Sequence, residues 1–235
     1  LLKVSRQPSG EPEIFHSIQG EGVSAGTPTV FLRLATCNLA CTWCDTRYTW
    51  DWRNFDYADG VVEMDLDEVE RRVRAFDRPR LVITGGEPLL QQAVLAPLVA
   101  SLAGQGFYCE VETNGTIVPS PEMIEGIAQW NVSPKLENSG NITRAREVPD
   151  ALSAFGHMDT AYFKFVVAAP PDVDEVAAIV AKHGLASERI MLMPEGVTAE
   201  AMRERGKWVA EACVERGFSF SPRLHILLWG DERGR

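Results

Sequence analysis

The chain has 235 residues, 45% hydrophobic and 24% charged, an ordinary soluble composition at a length that fits one domain spanning 1–235. A net charge of −10 argues against a protein that grips nucleic acid, because phosphate contacts need a basic surface. No apolar run approaches the roughly 20 residues of a membrane span, and Lys3, Arg6, Pro8, Gly10 and Pro12 break up any signal-peptide stretch at the start.

Along the chain, strand patterns alternate with helical ones. Thr29–Ala35 is apolar and β-branched and reads as a strand. Asp67 and Glu70 predict a capped helix start, with Val69, Val73 and Phe76 on one face. Leu81–Thr84 reads as a short strand, followed by a helix from about Leu90 to Leu102. Tyr108–Thr113, Gln129–Ser133 and Tyr162–Val167 read as strands, and Asp172–His183 as a helix closed by Gly184. Ile190–Met193 is the next strand, Thr198–Arg216 a helix ended by Gly217, and Arg223–Trp229 a last strand-like run. Strands that alternate with helices predict parallel β-α units, and six of them predict an α/β fold with an open, partial barrel. Working residues of such folds gather at the carboxyl ends of the strands.

The strand ends here carry chemistry. Cys37, Cys41 and Cys44 follow the first strand within eight residues, and no fourth cysteine is near. A structural zinc site wants four ligands, and His16 is the available fourth. Three thiolates on a cubane iron–sulfur cluster instead leave one iron open to a ligand. An odd count of five cysteines, three of them clustered, speaks against a disulfide framework and for a reducing cytoplasm. Cys109 and Cys213 read as buried core thiols.

Thr84-Gly85-Gly86-Glu87-Pro88 ends the second strand, where glycines let backbone approach a ligand. Glu112-Thr113-Asn114-Gly115 and Ser133-Pro134-Lys135 end the next two, and Met193-Pro194-Glu195 a later one. Arg33 lies between Leu32 and Leu34, and a charge in an apolar strand needs a partner, either a substrate or a structural Glu. Lys164, amid Phe163 and Phe165, points to solvent or pairs inside the barrel. Thr46 offers a hard oxygen for Mg²⁺, although turn or cap roles are commoner for Thr.

The spacing C-x3-C-x2-C, with Trp43 before the last cysteine, resembles the radical S-adenosylmethionine (SAM) superfamily. Ser17-Ile18-Gln19-Gly20-Glu21-Gly22, Cys44-Asp45-Thr46, Thr84–Pro88, Glu112–Gly115, Ser133–Lys135 and Arg223-Leu224-His225 narrow the resemblance to the 7-carboxy-7-deazaguanine synthases. That resemblance implies a modified partial (β/α) barrel. It also implies a ring contraction of 6-carboxy-5,6,7,8-tetrahydropterin to 7-carboxy-7-deazaguanine and ammonium, with SAM used catalytically. It implies a 4Fe-4S cluster on Cys37, Cys41 and Cys44, and Mg²⁺ on Thr46. SAM would be held by Trp43, Asp45, Gly86, Glu87, Asn114, Ser133, Pro134, Lys135, Met193, Pro194 and Glu195. The pterin would be held by Ile18, Gln19, Gly20, Glu21, Arg33, Thr84 and His225. A flavodoxin- or ferredoxin-like electron donor and a homodimer are implied too. The alternatives are an activating enzyme for a glycyl-radical partner and a zinc-stabilised binding module without catalysis.

Overall fold

Period-2 alternation sorts the strand side chains onto two faces, and that sorting builds both the core and the cavity. The computed structural model describes residues 1–234. Its strands are β1 (Leu2–Ser5), β2 (Ile14–Ile18), β3 (Pro28–Leu34), β4 (Val61–Met64), β5 (Arg80–Gly85), β6 (Tyr108–Thr113), β7 (Gln129–Val132), β8 (Ala161–Val167), β9 (Ile190–Pro194) and β10 (Ser219–Phe220). They form one sheet in the order β10-β9-β8-β7-β6-β5-β3-β1-β4, with β2 also on β3. All pairings from β3 through β10 are parallel, whereas β1, β2 and β4 pair antiparallel. Because the end strands β10 and β4 do not meet, the sheet is open.

One face is apolar. Leu32, Leu34, Leu81, Ile83, Cys109, Val111, Trp130, Val132, Phe163, Phe165, Ile190 and Leu192 join a single core with the helices, including Val99 and Leu102 from Gln92–Gly104 and Val176 and Ile179 from Pro170–His183. The intervening residues face the concave side and are mostly polar: Arg33, Thr84, Glu110, Glu112, Gln129, Asn131 and Lys164. At the floor of that side, Arg80 pairs with buried Glu110 at 2.5 Å, and the Gln129 and Asn131 amides donate to the same carboxylate at 3.0 Å each. The buried polar groups there satisfy one another, as they must away from water.

All six expected parallel strands are present, and β10 adds a short seventh. The antiparallel β1, β2 and β4 are additions that lie outside the expected parallel β-α units. Two expectations change. The helix before β5 runs Leu66–Arg74 with Asp65 at its N-cap, so Asp67 caps nothing, and Phe76 lies beyond it, half exposed against His16 at 6.2 Å. The run 223–229 is not a strand. Leu224–Trp229 is a short helix that buries Ile226. Its Leu-rich composition favours helix over sheet, and Gly20 O captures Leu224 N–H at 2.8 Å, which turns the chain away from the sheet edge.

Phe155, fully buried on the helix Pro149–Gly156, packs on Trp130 with ring centroids 5.4 Å apart. Phe155→Ala is expected to lower unfolding stability by about 3–5 kcal/mol. Denaturant titration checks this, and a loss below about 1 kcal/mol would place the core elsewhere.

Candidate active site

A cavity opens at the carboxyl ends of the parallel strands, where β-α folds place their chemistry. Cys37, Cys41 and Cys44 line it together with the ends of β5, β6, β7, β8 and β9. The structure therefore brings the cysteine loop and the strand-end motifs to one space.

The loop is fixed by close backbone packing. Thr36 sits at φ +76°, a left-handed conformation uncommon for a β-branched residue. Its carbonyl accepts Glu87 N–H at 2.8 Å, and Leu34 O accepts Gly86 N–H at 3.0 Å. A Cβ on Gly86 would lie 1.9 Å from Thr36 O, and one on Gly85 2.0 Å from Leu34 O. The paired glycines are thus required for the loop to dock on the end of β5.

Each cysteine sulfur has an N–H donor. Leu39 N–H reaches Cys37 Sγ at 3.5 Å, the Asn141 amide reaches Cys41 Sγ at 3.2 Å, and the Trp50 indole reaches Cys44 Sγ at 3.3 Å. Burial pushes the free Cys37 thiol up to about 11, so loading a metal centre must remove its proton. All five cysteines are free. Among the described residues, no three His, Cys, Asp or Glu side chains converge on a point for one metal ion. His16, the fourth ligand of the zinc alternative, is exposed on β2. Three soft thiol donors, each with its own N–H partner on a cavity wall, suit a multi-iron cluster better than one tetrahedral ion.

Part of the cavity wall is charged. Glu21 bonds Lys164 and accepts Arg223 Nε at 3.0 Å. Burial alone would raise the Glu21 pKa, but Lys164 and Arg223 outweigh it and hold the carboxyl well below the usual range. Arg223 also grips Asp45 beside the last cysteine and donates to Gly196 O at 2.6 Å. Glu112 accepts Gln19 Nε2 at 3.0 Å and Thr84 Oγ1 at 2.7 Å. His225, with Nε2 3.9 Å from Glu21, packs where Gly20 has no side chain, since a Cβ there would sit 2.0 Å from its ring. Burial lowers the His225 pKa, which favours neutral imidazole.

Ile18, Gln19, Gly20, Glu21, Arg33, Thr84 and His225 all line the cavity. Arg33 also has a structural partner: its Nε meets Glu13 at 3.0 Å, and Tyr48 and Arg233 bond the same carboxylate. Lys164 points inward and not to solvent. Trp43, Asp45, Thr46, Gly86, Asn114, Ser133, Lys135, Met193, Pro194 and Glu195 line the cavity as well, whereas Pro134 and Glu87 do not. The Glu87 carboxylate is fully buried and already accepts Thr113 Oγ1 at 2.8 Å, Asn114 N–H at 2.7 Å and Leu89 N–H at 3.0 Å. It ties the ends of β5 and β6 together. Sequence reasoning missed Asn131 as a wall residue, although the period-2 pattern of polar residues in β7 carried the signal, and it named Glu112 and Arg223 within motifs without placing them on this wall. It also missed Asn138–Asn141. That segment clamps the cysteine loop through Trp43 Nε1 to Asn138 Oδ1 at 3.1 Å and Thr42 N–H to Ser139 O at 3.0 Å.

The family model of the radical SAM superfamily matches residues 33–135. The 7-carboxy-7-deazaguanine synthase of Pyrobaculum aerophilum is 40% identical over 95% of this chain and 96% of its own length. The chain belongs to the 7-carboxy-7-deazaguanine synthase family of radical SAM enzymes. The Halobacterium salinarum synthase is 34% identical over 93% of this chain and 90% of its own. The crystal structure of QueE from Escherichia coli superposes with a TM-score of 0.64 at 26% identity, covering 93% of each chain. Membership brings a 4Fe-4S cluster, SAM and a small-molecule substrate, and the three thiols and the charged wall fit such a set.

Gly86→Ala is expected to displace Thr36 and Cys37 and to reduce iron and sulfide bound after anaerobic reconstitution severalfold. Full iron content in a folded variant would show that the loop does not depend on this contact.

Proposed function

We propose that this chain converts 6-carboxy-5,6,7,8-tetrahydropterin to 7-carboxy-7-deazaguanine with release of ammonium. The observation that carries the reading is the joining of the cysteine loop to a buried charged wall within one cavity, in a chain matched over nearly its whole length by synthases of that name. When bound, the cluster and SAM supply the radical chemistry. The protein's own residues bind, orient and shield.

Glu112 and Glu21 are fixed carboxylates that can accept N–H groups from an amino-heterocycle, and their partners keep them from turning away. Arg33 offers its guanidinium to a substrate carboxylate while Glu13 holds its Nε. Thr46 Oγ1, 3.6 Å from Cys44 Sγ on the cavity wall, would contribute a hard oxygen to Mg²⁺, with substrate and water completing the shell. Trp43, Asp45, Gly86, Asn114, Ser133, Lys135 and Met193–Glu195 would surround SAM, with Glu87 and Pro134 supporting them from outside the cavity. Trp50, Phe15 and Phe31 line the same space and would help to exclude water. Of the other aromatics after the cysteines, Tyr48 bonds Glu13 and Trp52 packs edge-on to Tyr57 at 5.0 Å. A flavodoxin- or ferredoxin-like protein would deliver the electron, two chains would pair as a homodimer, and five free cysteines agree with a reducing cytoplasm.

Anaerobic incubation of the reconstituted protein with the carboxytetrahydropterin, SAM, Mg²⁺ and a reductant is expected to yield 7-carboxy-7-deazaguanine without stoichiometric loss of SAM. Cleavage of SAM with no ring-contracted product would overturn the assignment. Thr46→Ala is expected to leave iron content intact and weaken the activation by Mg²⁺. An unchanged Mg²⁺ response would remove Thr46 from the metal shell.

A further inference from the structure

Two of the N–H···S contacts come from side chains held in place by other parts of the fold. Asn141 lies 100 residues beyond Cys41, in the segment that follows the 3-10 turn Glu137–Ser139. Its amide cannot swing freely. Oδ1 accepts Ala40 N–H at 3.0 Å, and Nδ2 lies 3.2 Å from the Ser139 hydroxyl as well as 3.2 Å from Cys41 Sγ. Ser139 itself is fully buried. Trp50 follows the 3-10 turn Arg47–Thr49, and its own N–H is bonded to Arg47 O at 3.1 Å. The ring is placed so that its Nε1–H, an obligatory donor, meets Cys44 Sγ at 3.3 Å. Cys37, by contrast, has a backbone donor at 3.5 Å and the Asn114 amide only at 4.0 Å.

A donor aimed at a cluster thiolate stabilises the more negative, reduced form, and hydrogen bonds to the sulfurs are among the groups that set cluster potentials. We propose that Asn141 and Trp50 are positioning residues that raise the reduction potential of the bound cluster through N–H···S bonds to Cys41 and Cys44. They make the cluster reducible by its donor through the sulfurs, apart from the place that Trp50 has on the cavity wall. The proposal rests on the family's cluster and not on the identity of the substrate, so a failed product assay and a failed potential measurement are separate results.

The test is EPR-monitored redox titration of the reconstituted protein, with iron content measured alongside. Trp50→Phe and Asn141→Ala are each expected to shift the midpoint to more negative potential, and the double variant further. Trp52→Phe, whose ring packs on Tyr57, is the control and should not shift it. Midpoints unchanged in both single variants at full iron content would overturn the proposal. The unaltered protein gives an independent reading, free of any folding defect. With tryptophan labelled with ¹⁵N in the indole, the reduced cluster should show a ¹⁵N hyperfine coupling in pulsed EPR. Absence of that coupling would remove Trp50 from the cluster's surroundings.

Discussion

The site depends on a backbone-to-backbone approach that only glycine permits. Gly85 and Gly86 bring the end of β5 against Leu34 and Thr36, so close that any side chain would overlap a carbonyl oxygen. Two hydrogen bonds, from Gly86 N–H and Glu87 N–H, lock the contact. Thr36 is held left-handed by it, and Cys37 follows directly. The strain at Thr36 is of the kind that persists only where surrounding structure over-determines it. The buried Glu87 carboxylate completes the lock by drawing in the end of β6. The direction taken by the cysteine loop is therefore set by the glycine pair, before any metal binds.

A second constraint joins parts of the chain that are far apart in sequence. Arg223 holds Glu21 from the N-terminal segment and Asp45 from the cysteine loop, while Lys164 of β8 holds Glu21 from the other side. Burying one of these charges alone would be prohibitive. Paired, they fix geometry more than they add stability, because desolvation offsets most of the attraction. The pairing thus couples the cysteine loop to the wall proposed for the substrate. Tight control of distance is what chemistry by a reactive intermediate requires.

Much of this was legible in the sequence, and the parts that were not have physical reasons. The parallel strands showed through because their apolar residues are dense and bounded by turn residues. β1, β2 and β4 are four or five residues long, as β7 and β9 are, but they pair antiparallel at the margin of the sheet, outside the parallel β-α repeat that marked the others. The run from Leu224 to Trp229 misled because a short apolar run does not distinguish strand from buried helix. The contact that decides it, with Gly20, spans some two hundred residues. The cysteines, the strand-end glycines and the Gln-Gly-Glu segment were visible as motifs. The partner roles were not. Arg33 has a structural carboxylate, Glu13, which realises one of the two readings left open, and it also faces the cavity. Glu87 looked like a ligand residue because it stands beside two glycines, yet its oxygens are taken up by the ends of its own strands and helix. Asn138–Asn141 reads as a plain polar turn, and only the fold shows that it straps the cysteine loop.

The central claim is that three protein thiolates would hold the cluster and leave one iron open to a ligand, in the cavity that also carries the charged wall. Mössbauer spectroscopy of ⁵⁷Fe-reconstituted protein tests it most directly. The account predicts a four-iron cluster in which adding SAM changes the signal of a single iron. A cluster whose irons all ignore SAM, or a colourless protein that holds stoichiometric zinc in place of iron, would contradict it.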